Sequence, residues 1–184
     1  SDLADTLRKS ASMVRMVAVR QGVPRGLGHA VLCAKEIIGD EPFAVLLGDD
    51  LVDAQVPCTK QMIDVYERHT KSVVALMEVS DADVPKFGMC GGRKVESRVM
   101  ELNQMIEKPK LAIVGRYILT PKIFDFLEQT DPGKGGEIQL TDAMAKLMKA
   151  EGFIGYEFEG NRYDAGDKFG FIQANIAYSL KRPD

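Results

Sequence analysis

Two aspartates directly follow a short apolar run in this chain. Residues 43–47 are all apolar, and Gly48, Asp49 and Asp50 come next. A run of this length is typical of a buried parallel strand. In open α/β sheets the ligand crevice lies beyond the carboxyl ends of the strands, where Asp49 and Asp50 would be presented. A carboxylate pair there can hold Mg²⁺ shared with phosphate oxygens, although Gly-Asp-Asp is also ordinary turn sequence.

A glycine-rich loop, residues 21–28, precedes a predicted helix. Its three glycines let backbone amides approach a ligand closely. The loop has the spacing of neither a P-loop nor a dinucleotide-binding fingerprint. The side-chain amide of Gln21 can both donate and accept a hydrogen bond, as reading a nucleobase edge requires. The alternative is a loop that only leads into the helix.

Two further clusters carry charged groups. In Glu107-Lys108-Pro109 the proline favours an extended Lys108. A glutamate can then accept hydroxyl hydrogen bonds from a sugar, while the lysine supplies a mobile charge for phosphate. On spacing alone, a solvated charged turn is the favoured interpretation of this cluster. In the second cluster, Asp164 could face Asp49 across the crevice, or either Asp164 or Asp167 could cap the last helix.

Apolar and turn patterns predict strands that alternate with helices, hence an α/β fold with a mixed, mainly parallel sheet flanked by helices. The chain is predicted to form a single domain over residues 1–184. Residues 98–119 contain two extended segments with no helix between them, which indicates a hairpin or an antiparallel strand. Strands are predicted at residues 13–19, 43–47, 72–79, 98–107, 111–119 and 153–158. Helices are predicted at residues 2–10, 29–38, 60–69 (capped by Thr59), 120–129, 141–152 (capped by Thr141) and from 166 onward.

Composition excludes several classes of function. The 184 residues are 45% hydrophobic and 28% charged, with a formal net charge of −3, which gives no basic footprint for nucleic acid. No apolar run reaches membrane-spanning length. The two histidines stand apart, without the clustering of a zinc site. The odd number of cysteines, with no Cys-x-x-Cys spacing, favours a reduced, cytoplasmic setting.

These motifs, in this order, resemble the sugar nucleotidyltransferases, and most closely their bacterial uridylyl branch. The resemblance implies a Rossmann-like nucleotide-diphospho-sugar transferase fold and a cytoplasmic, homo-oligomeric enzyme. It implies uridylyl transfer from UTP to glucose 1-phosphate with Mg²⁺, giving UDP-glucose and pyrophosphate. The matching stretches are residues 20–30, 47–50, 87–88, 107–117, 136–143 and 164–166.

The resemblance also implies roles for individual residues. Gln21 and Gly26 are implied to contact the uracil, and Asp49 and Asp164 are implied to bind Mg²⁺. Gly88, Glu107 and Gly115 are implied to contact the glucose, and Lys108 is implied to contact its phosphate. Asp49, Lys108 and Asp164 are the predicted catalytic residues.

Three departures from the family pattern are expected to matter. The N-terminal glycine-rich phosphate loop and first strand are absent from this sequence, and a connecting segment is missing between Lys110 and Leu111. Gly48 stands where the uridylyl branch usually has proline. Two alternative functions stay open: a thymidylyltransferase that makes dTDP-glucose, and a sugar-nucleotide-binding module without turnover. A generic α/β domain with coincidental motifs is the third alternative.

Overall fold

The computed structural model describes residues 2–80, 90–104 and 111–182. A short 3-10 helix spans Lys134–Gly136. The α-helices are α1 (Asp2–Ser12), α2 (Leu27–Leu32), α3 (Lys35–Ile38), α4 (Cys58–His69), α5 (Ile123–Glu128), α6 (Leu140–Glu151) and α7 (Lys168–Ser179). The strands are β1 (Phe43–Leu46), β2 (Asp50–Asp53), β3 (Val73–Glu78), β4 (Gly91–Lys94), β5 (Val99–Gln104), β6 (Leu111–Leu119), β7 (Phe153–Glu157) and β8 (Asn161–Asp164).

Six strands form the main sheet, in the order β1-β6-β3-β7-β5-β4. β3 and β7 pair in parallel, and the other four described pairs are antiparallel. These pairings make β1, β3, β4 and β7 run in one direction, with β5 and β6 inserted against them. The predicted α/β class with a mixed sheet is therefore confirmed. Four of these six strands run in the same direction, as expected, but only one of the five described strand pairs is parallel.

Two apolar layers cover the two faces of this sheet. One layer packs helices α5 and α6 through buried side chains such as Phe124 and Leu147. The other packs helix α4 through Met62 and Val65. In β3, residues 73–76 are buried on both sides, as an inner strand between two layers requires. The sheet is thus held rigidly from both faces, which fixes the strand ends near the candidate site.

A separate two-stranded ribbon pairs β2 with β8 in antiparallel register. β2 follows β1 after three residues, and β8 leads into α7. The ribbon therefore joins the region of Asp49 and Asp50 to the region of Asp164. Its first register pair is Asp50 with Asp164. Among the described helices, none combines the length and apolar character that crossing a membrane requires.

Several local expectations need correction. Residues 13–19 form no strand; their apolar side chains are exposed, Met16 to 90%. Helix 29–38 is two short helices, α2 and α3. Neither Thr59 nor Thr141 is an N-cap, because α4 and α6 each begin one residue before the threonine. Of the two alternatives expected for residues 98–119, the antiparallel one is confirmed: β5 and β6 do not pair with each other as a hairpin, and each forms antiparallel pairs with other strands.

The N-cap of α7 is one of the two alternatives predicted from the sequence. The side chain of Asp167 accepts hydrogen bonds from the amides of Phe169 and Gly170 at the start of α7. Gly152 ends α6 with a φ of 78°, in the region that favours glycine. Gly152 thus marks the end of α6, and the Asp167 cap fixes the first turn of α7 beside Asp164.

Candidate active site

The carboxylates of Asp49 and Asp164 lie on either side of one point beside Gly166. The Ala165 amide donates a 2.7 Å hydrogen bond to the carbonyl oxygen of Asp49, which ties the two segments together. A Cβ atom placed on Gly166 would lie 3.0 Å from Asp49 Oδ2 and 3.2 Å from Asp164 Oδ1. The structure therefore brings together two acids that are far apart in sequence.

This donor set suits a divalent cation. Mg²⁺ in nucleotide-dependent enzymes is usually held by one or two carboxylates and by substrate phosphates, rather than by a cage of protein ligands. Asp49 is exposed and Asp164 is half-buried, so both can be reached by a ligand. In the described part of the chain no group of three or more His, Cys, Asp or Glu side chains could hold a metal. The two carboxylates thus fit a metal ion that is shared with a phosphate-bearing ligand.

A cavity of about 490 Å³ borders Asp164. Its walls come from the end of β3 with the two residues that follow, from the end of β8, and from the first half of α7. They combine apolar groups such as Met77 and Phe169 with polar groups such as Gln173. A concave site with mixed walls suits a small ligand that has both polar and apolar surfaces.

The loop predicted to contact a nucleobase is held together by Gln21. Its Nε2 atom lies 3.2 Å from the carbonyl oxygen of Gly26 and 2.7 Å from Nδ1 of His29. The Gly28 amide donates a 2.9 Å hydrogen bond to the carbonyl oxygen of Ile138. The loop therefore rests on the segment that leads into α6, and the two motifs form one continuous surface.

Gly115 lies in the interior of β6 and is buried. Its amide donates a 2.7 Å hydrogen bond to Oδ2 of Asp50, and its carbonyl oxygen accepts a 2.9 Å bond from the amide of Leu47. A Cβ atom at this position would collide with the side chains of both partners. The structure thus shows a packing reason for glycine here, and the predicted contact with a sugar stays a prediction.

Three of the predicted site residues, Gly88, Glu107 and Lys108, lie outside the described residues. Their proposed contacts with a sugar and its phosphate stay predictions.

A network of charges surrounds Asp50. Its Oδ1 atom accepts a hydrogen bond from Nε of Arg162. The guanidinium of Arg162 also reaches Asp164, with Nη2 3.0 Å from Oδ2. Arg116 donates to the carbonyl oxygens of Leu47, at 2.8 Å, and of Asp50. Asp50 is therefore held through both its side chain and its backbone.

Two buried thiols and one buried phenol stay protonated at neutral pH. Burial raises the pKa of the Cys58 thiol to about 11 and that of the Cys90 thiol to about 12. Burial, with a smaller contribution from the Asp50 charge, raises the pKa of Tyr117 to about 12. Because the thiolate is the reactive form of cysteine, neither of these two cysteines is suited to nucleophilic catalysis.

The family comparison agrees with this arrangement of groups. The family model for nucleotidyl transferases matches residues 2–180. The chain belongs to the nucleotidyl transferase family. It is 45% identical over 191 aligned residues to a UTP–glucose-1-phosphate uridylyltransferase of Staphylococcus epidermidis. The match covers 100% of this chain and 66% of the staphylococcal protein, so the chain spans just under two thirds of that relative's length.

Solved structures of relatives show the same fold as this nucleotidyl transferase. A UDP-glucose pyrophosphorylase in complex with UDP-glucose is 42% identical, with a TM-score of 0.91; the match covers 98% of this chain and 72% of that one. A UTP-bound enzyme of the same name from Acinetobacter baumannii is 33% identical, with a TM-score of 0.83, and the match covers 100% and 71%. The predicted family membership is therefore confirmed.

The sequence motifs point to neither Arg162 nor a separate role for Asp50 in this nucleotidyl transferase. Arg162 and Asp164 lie two residues apart on β8, so their side chains share one face of the strand. Because side chains alternate between the two faces of a strand, the sequence could have indicated that Arg162 lies beside Asp164. The role of Asp50 depends on pairing with β8 and on contact with β6, which are long-range features with no local signature.

Proposed function

We propose that this nucleotidyl transferase transfers the uridylyl group of UTP to glucose 1-phosphate, giving UDP-glucose and pyrophosphate. The observation that carries the proposal is the pair of carboxylates, Asp49 and Asp164, that come together beside Gly166, with Asp164 also lining a cavity. The choice of substrates is supported by the relatives, which include a complex with UDP-glucose and one with UTP.

The reaction requires that two anions meet in a defined orientation. A phosphate oxygen of glucose 1-phosphate forms a bond to the α-phosphorus of UTP. The bond from that phosphorus to the bridging oxygen breaks, and its electron pair leaves with pyrophosphate. Because the attacking oxygen is already anionic, no protein base or covalent nucleophile is needed. The protein contributes orientation of the substrates and neutralisation of their charge.

We infer that Asp49 and Asp164 hold a Mg²⁺ ion. When bound, Mg²⁺ would lower the repulsion between the phosphates of the two substrates. The chain already orients Asp164 for this role. Its Oδ1 atom accepts a 3.1 Å hydrogen bond from the Gly166 amide, while Oδ2 pairs with Arg162. The carboxylate is thereby held in one orientation, with Oδ1 on the side that faces Asp49.

Gln21 and Gly26 are proposed to contact the uracil. The Nε2 atom of Gln21 is engaged within its own loop, so Oε1 is the side-chain atom that would accept the N3–H of the base. Gly26 has a φ of 88°, which favours glycine and keeps the backbone bare beside the base. The remaining proposed contacts are those of Gly88, Glu107, Lys108 and Gly115 with glucose 1-phosphate.

Pyrophosphate release by the purified chain tests this function. With Mg²⁺ and glucose 1-phosphate, UTP is expected to support faster release than ATP, CTP or dTTP. Equal turnover with ATP would defeat the uridylyl assignment. Faster turnover with dTTP than with UTP would instead support a thymidylyltransferase that makes dTDP-glucose.

A binding module without turnover is the alternative from another class. The chain spans just under two thirds of the staphylococcal relative, so binding and turnover need separate measurements. Calorimetric titration with UDP-glucose measures binding directly. Binding of UDP-glucose without any pyrophosphate release would favour the module over the enzyme.

We also infer a cytoplasmic homo-oligomer. All three cysteines are free, as in a reducing compartment. Helix α7 exposes a set of large apolar side chains, which is typical of an interaction surface. They are Phe169, Phe171, Ile172 and Ile176. Sedimentation of the chain, compared with the variant I172D, tests whether this surface joins copies; a wild-type monomer would contradict the homo-oligomer.

A further inference from the structure

Asp50 is a buried carboxylate next to the proposed metal ligand Asp49. Only 5% of its surface is exposed, and both of its oxygens are engaged. Oδ2 accepts from the Gly115 amide, and Oδ1 accepts from Nε of Arg162. Burying a charge is costly even when it is paired. A buried pair beside a candidate site therefore suggests a role in positioning rather than in stability.

The local backbone is shaped to hold Asp50 in this place. The ladder between β3 and β6 is irregular near Gly115, since Val74 pairs with Tyr117 whereas Leu76 pairs with Ile113. Irregularities of this kind redirect backbone groups and are common next to active sites. Here the Gly115 amide bonds to the Asp50 side chain, 2.7 Å away.

Arg162 is shared between two carboxylates. Its side chain is 13% exposed; Nε binds Asp50 while Nη2 lies 3.0 Å from Oδ2 of Asp164. A guanidinium presents its donors in a rigid planar fork. Because Asp50 accepts from Nε, the guanidinium cannot use Nε and Nη2 together to bind both oxygens of Asp164. Arg162 therefore contacts Oδ2 of Asp164, while Oδ1 lies on the side of Gly166 and Asp49.

We propose that Asp50 is a positioning residue that keeps Arg162 from neutralising Asp164 fully, and so leaves Asp164 Oδ1 available to a divalent cation. This inference rests on the metal site proposed above. Without the Asp50 charge, Arg162 would pair more strongly with Asp164 and compete with the metal for that carboxylate. Asp50 thus acts on the metal through Arg162, without touching it.

Mn²⁺ binding to the whole chain tests the proposal without an activity assay. Free Mn²⁺ is measured by electron paramagnetic resonance during titration of wild type and D50N. Outer-shell partners typically contribute 10–100-fold to metal affinity, so D50N is expected to bind Mn²⁺ roughly tenfold more weakly. D53N is the matched control, because Asp53 lies on the same strand but pairs with Lys181; its affinity should stay within about twofold of wild type.

A double variant separates positioning from structural support. D50N/R162Q removes the competing cation and replaces the ion pair with two neutral amides that can hydrogen-bond. Its Mn²⁺ affinity is expected to recover most of what D50N loses, because no guanidinium at position 162 then competes with the metal for Asp164. If D50N does not fold, as judged by thermal unfolding, this double variant carries the test by itself.

The outcomes distinguish this proposal from the proposed function. A folded D50N with wild-type Mn²⁺ affinity, or a folded double variant that still binds weakly, would overturn the role of Asp50 and leave the uridylyl assignment intact. Absence of Mn²⁺ binding by the folded wild-type chain would overturn the metal site itself, and the role of Asp50 with it.

Discussion

The amide of Gly28 donates a 2.9 Å hydrogen bond to the carbonyl oxygen of Ile138. This bond joins the glycine-rich loop, which carries Gln21, to the segment that leads into α6. The Ile138 amide in turn donates to the carbonyl oxygen of Arg25 over 2.7 Å. Two motifs that resemble the uridylyl branch are therefore in direct contact, and the position of one determines that of the other.

Substituting Gly28 with alanine should lower the free energy of unfolding by roughly 1–3 kcal/mol, the usual cost of overpacking. A Cβ atom there would lie 2.6 Å from the Ile138 carbonyl oxygen and 3.0 Å from a methyl group of Leu127. Urea unfolding measures the change. The matched control is G22A in the same loop, where a Cβ would meet nothing within 4 Å. Equal stability of the two variants would show that the contact with Ile138 is loose.

Replacing either Asp49 or Asp164 with asparagine should abolish most activity with little loss of stability. The two carboxylates lie beside Gly166 and are exposed or half-buried. Removing a direct metal ligand should cost more than the 10–100-fold typical of outer-shell groups. Pyrophosphate release at fixed Mg²⁺ gives the loss in kcat/KM, and thermal unfolding serves as the control. Near wild-type kcat/KM in D49N would exclude Asp49 as a ligand.

Alanine at Gly166 should weaken metal binding without unfolding the chain. The new methyl group would sit 3.0 Å from Asp49 Oδ2 and 3.2 Å from Asp164 Oδ1, a spacing that requires small shifts of both. We expect roughly tenfold weaker Mn²⁺ binding, comparable to the loss of an outer-shell contact. G48A is the control, because a Cβ on Gly48, next to Asp49, would meet nothing within 4 Å. If G48A weakened Mn²⁺ binding as much as G166A does, the cause would be the reduced flexibility of the backbone and not the contact with the two carboxylates.

Stability should fall as the pH rises above about 9. The ordinary pKa of a thiol is 9.0, and burial raises it to about 11 for Cys58 and about 12 for Cys90. The folded chain therefore keeps both protons at pH values where the unfolded chain releases them. Since the unfolded state then binds fewer protons, the free energy of unfolding decreases with pH from about 9 toward 11.

Urea unfolding between pH 7 and 10 under reducing conditions measures that slope. The variant C58A/C90A should show a flatter dependence, whatever its stability at pH 7. An identical slope in the variant would assign the alkaline loss to other groups, such as Tyr117, whose pKa is also raised by burial.

Local patterns were sufficient to predict the extent of three strands, although β1 is a half-exposed antiparallel edge strand and not the buried parallel strand that its apolar run indicated. β6 begins and ends where its apolar run does, and β1 and β3 differ from expectation by one residue at their ends. The pattern was insufficient at residues 13–19. Their composition favours a strand, but a strand also needs a partner for its backbone groups, and among the described residues this segment has none.

The candidate site was predictable only in part. Asp49 and Asp164 stand out because each lies near a glycine at the end of an apolar or strand-like segment. The β2 strand was not predicted, because four residues bounded by aspartates give little periodicity. It forms through pairing with β8, more than a hundred residues away. The shared guanidinium of Arg162 depends on that pairing, so no local pattern could reveal it.

The β2–β8 ribbon imposes an order on the folding of this chain. Asp49 and Asp164 enclose more than half of the chain between them, so the intervening sheet and helices must close before the acids can meet. During synthesis, a nascent chain would therefore lack the proposed cation site until β8 had emerged and paired with β2. A ligand bound by both acids would then stabilise the folded chain, since it binds only the state in which β2 and β8 are paired and shifts the equilibrium toward that state.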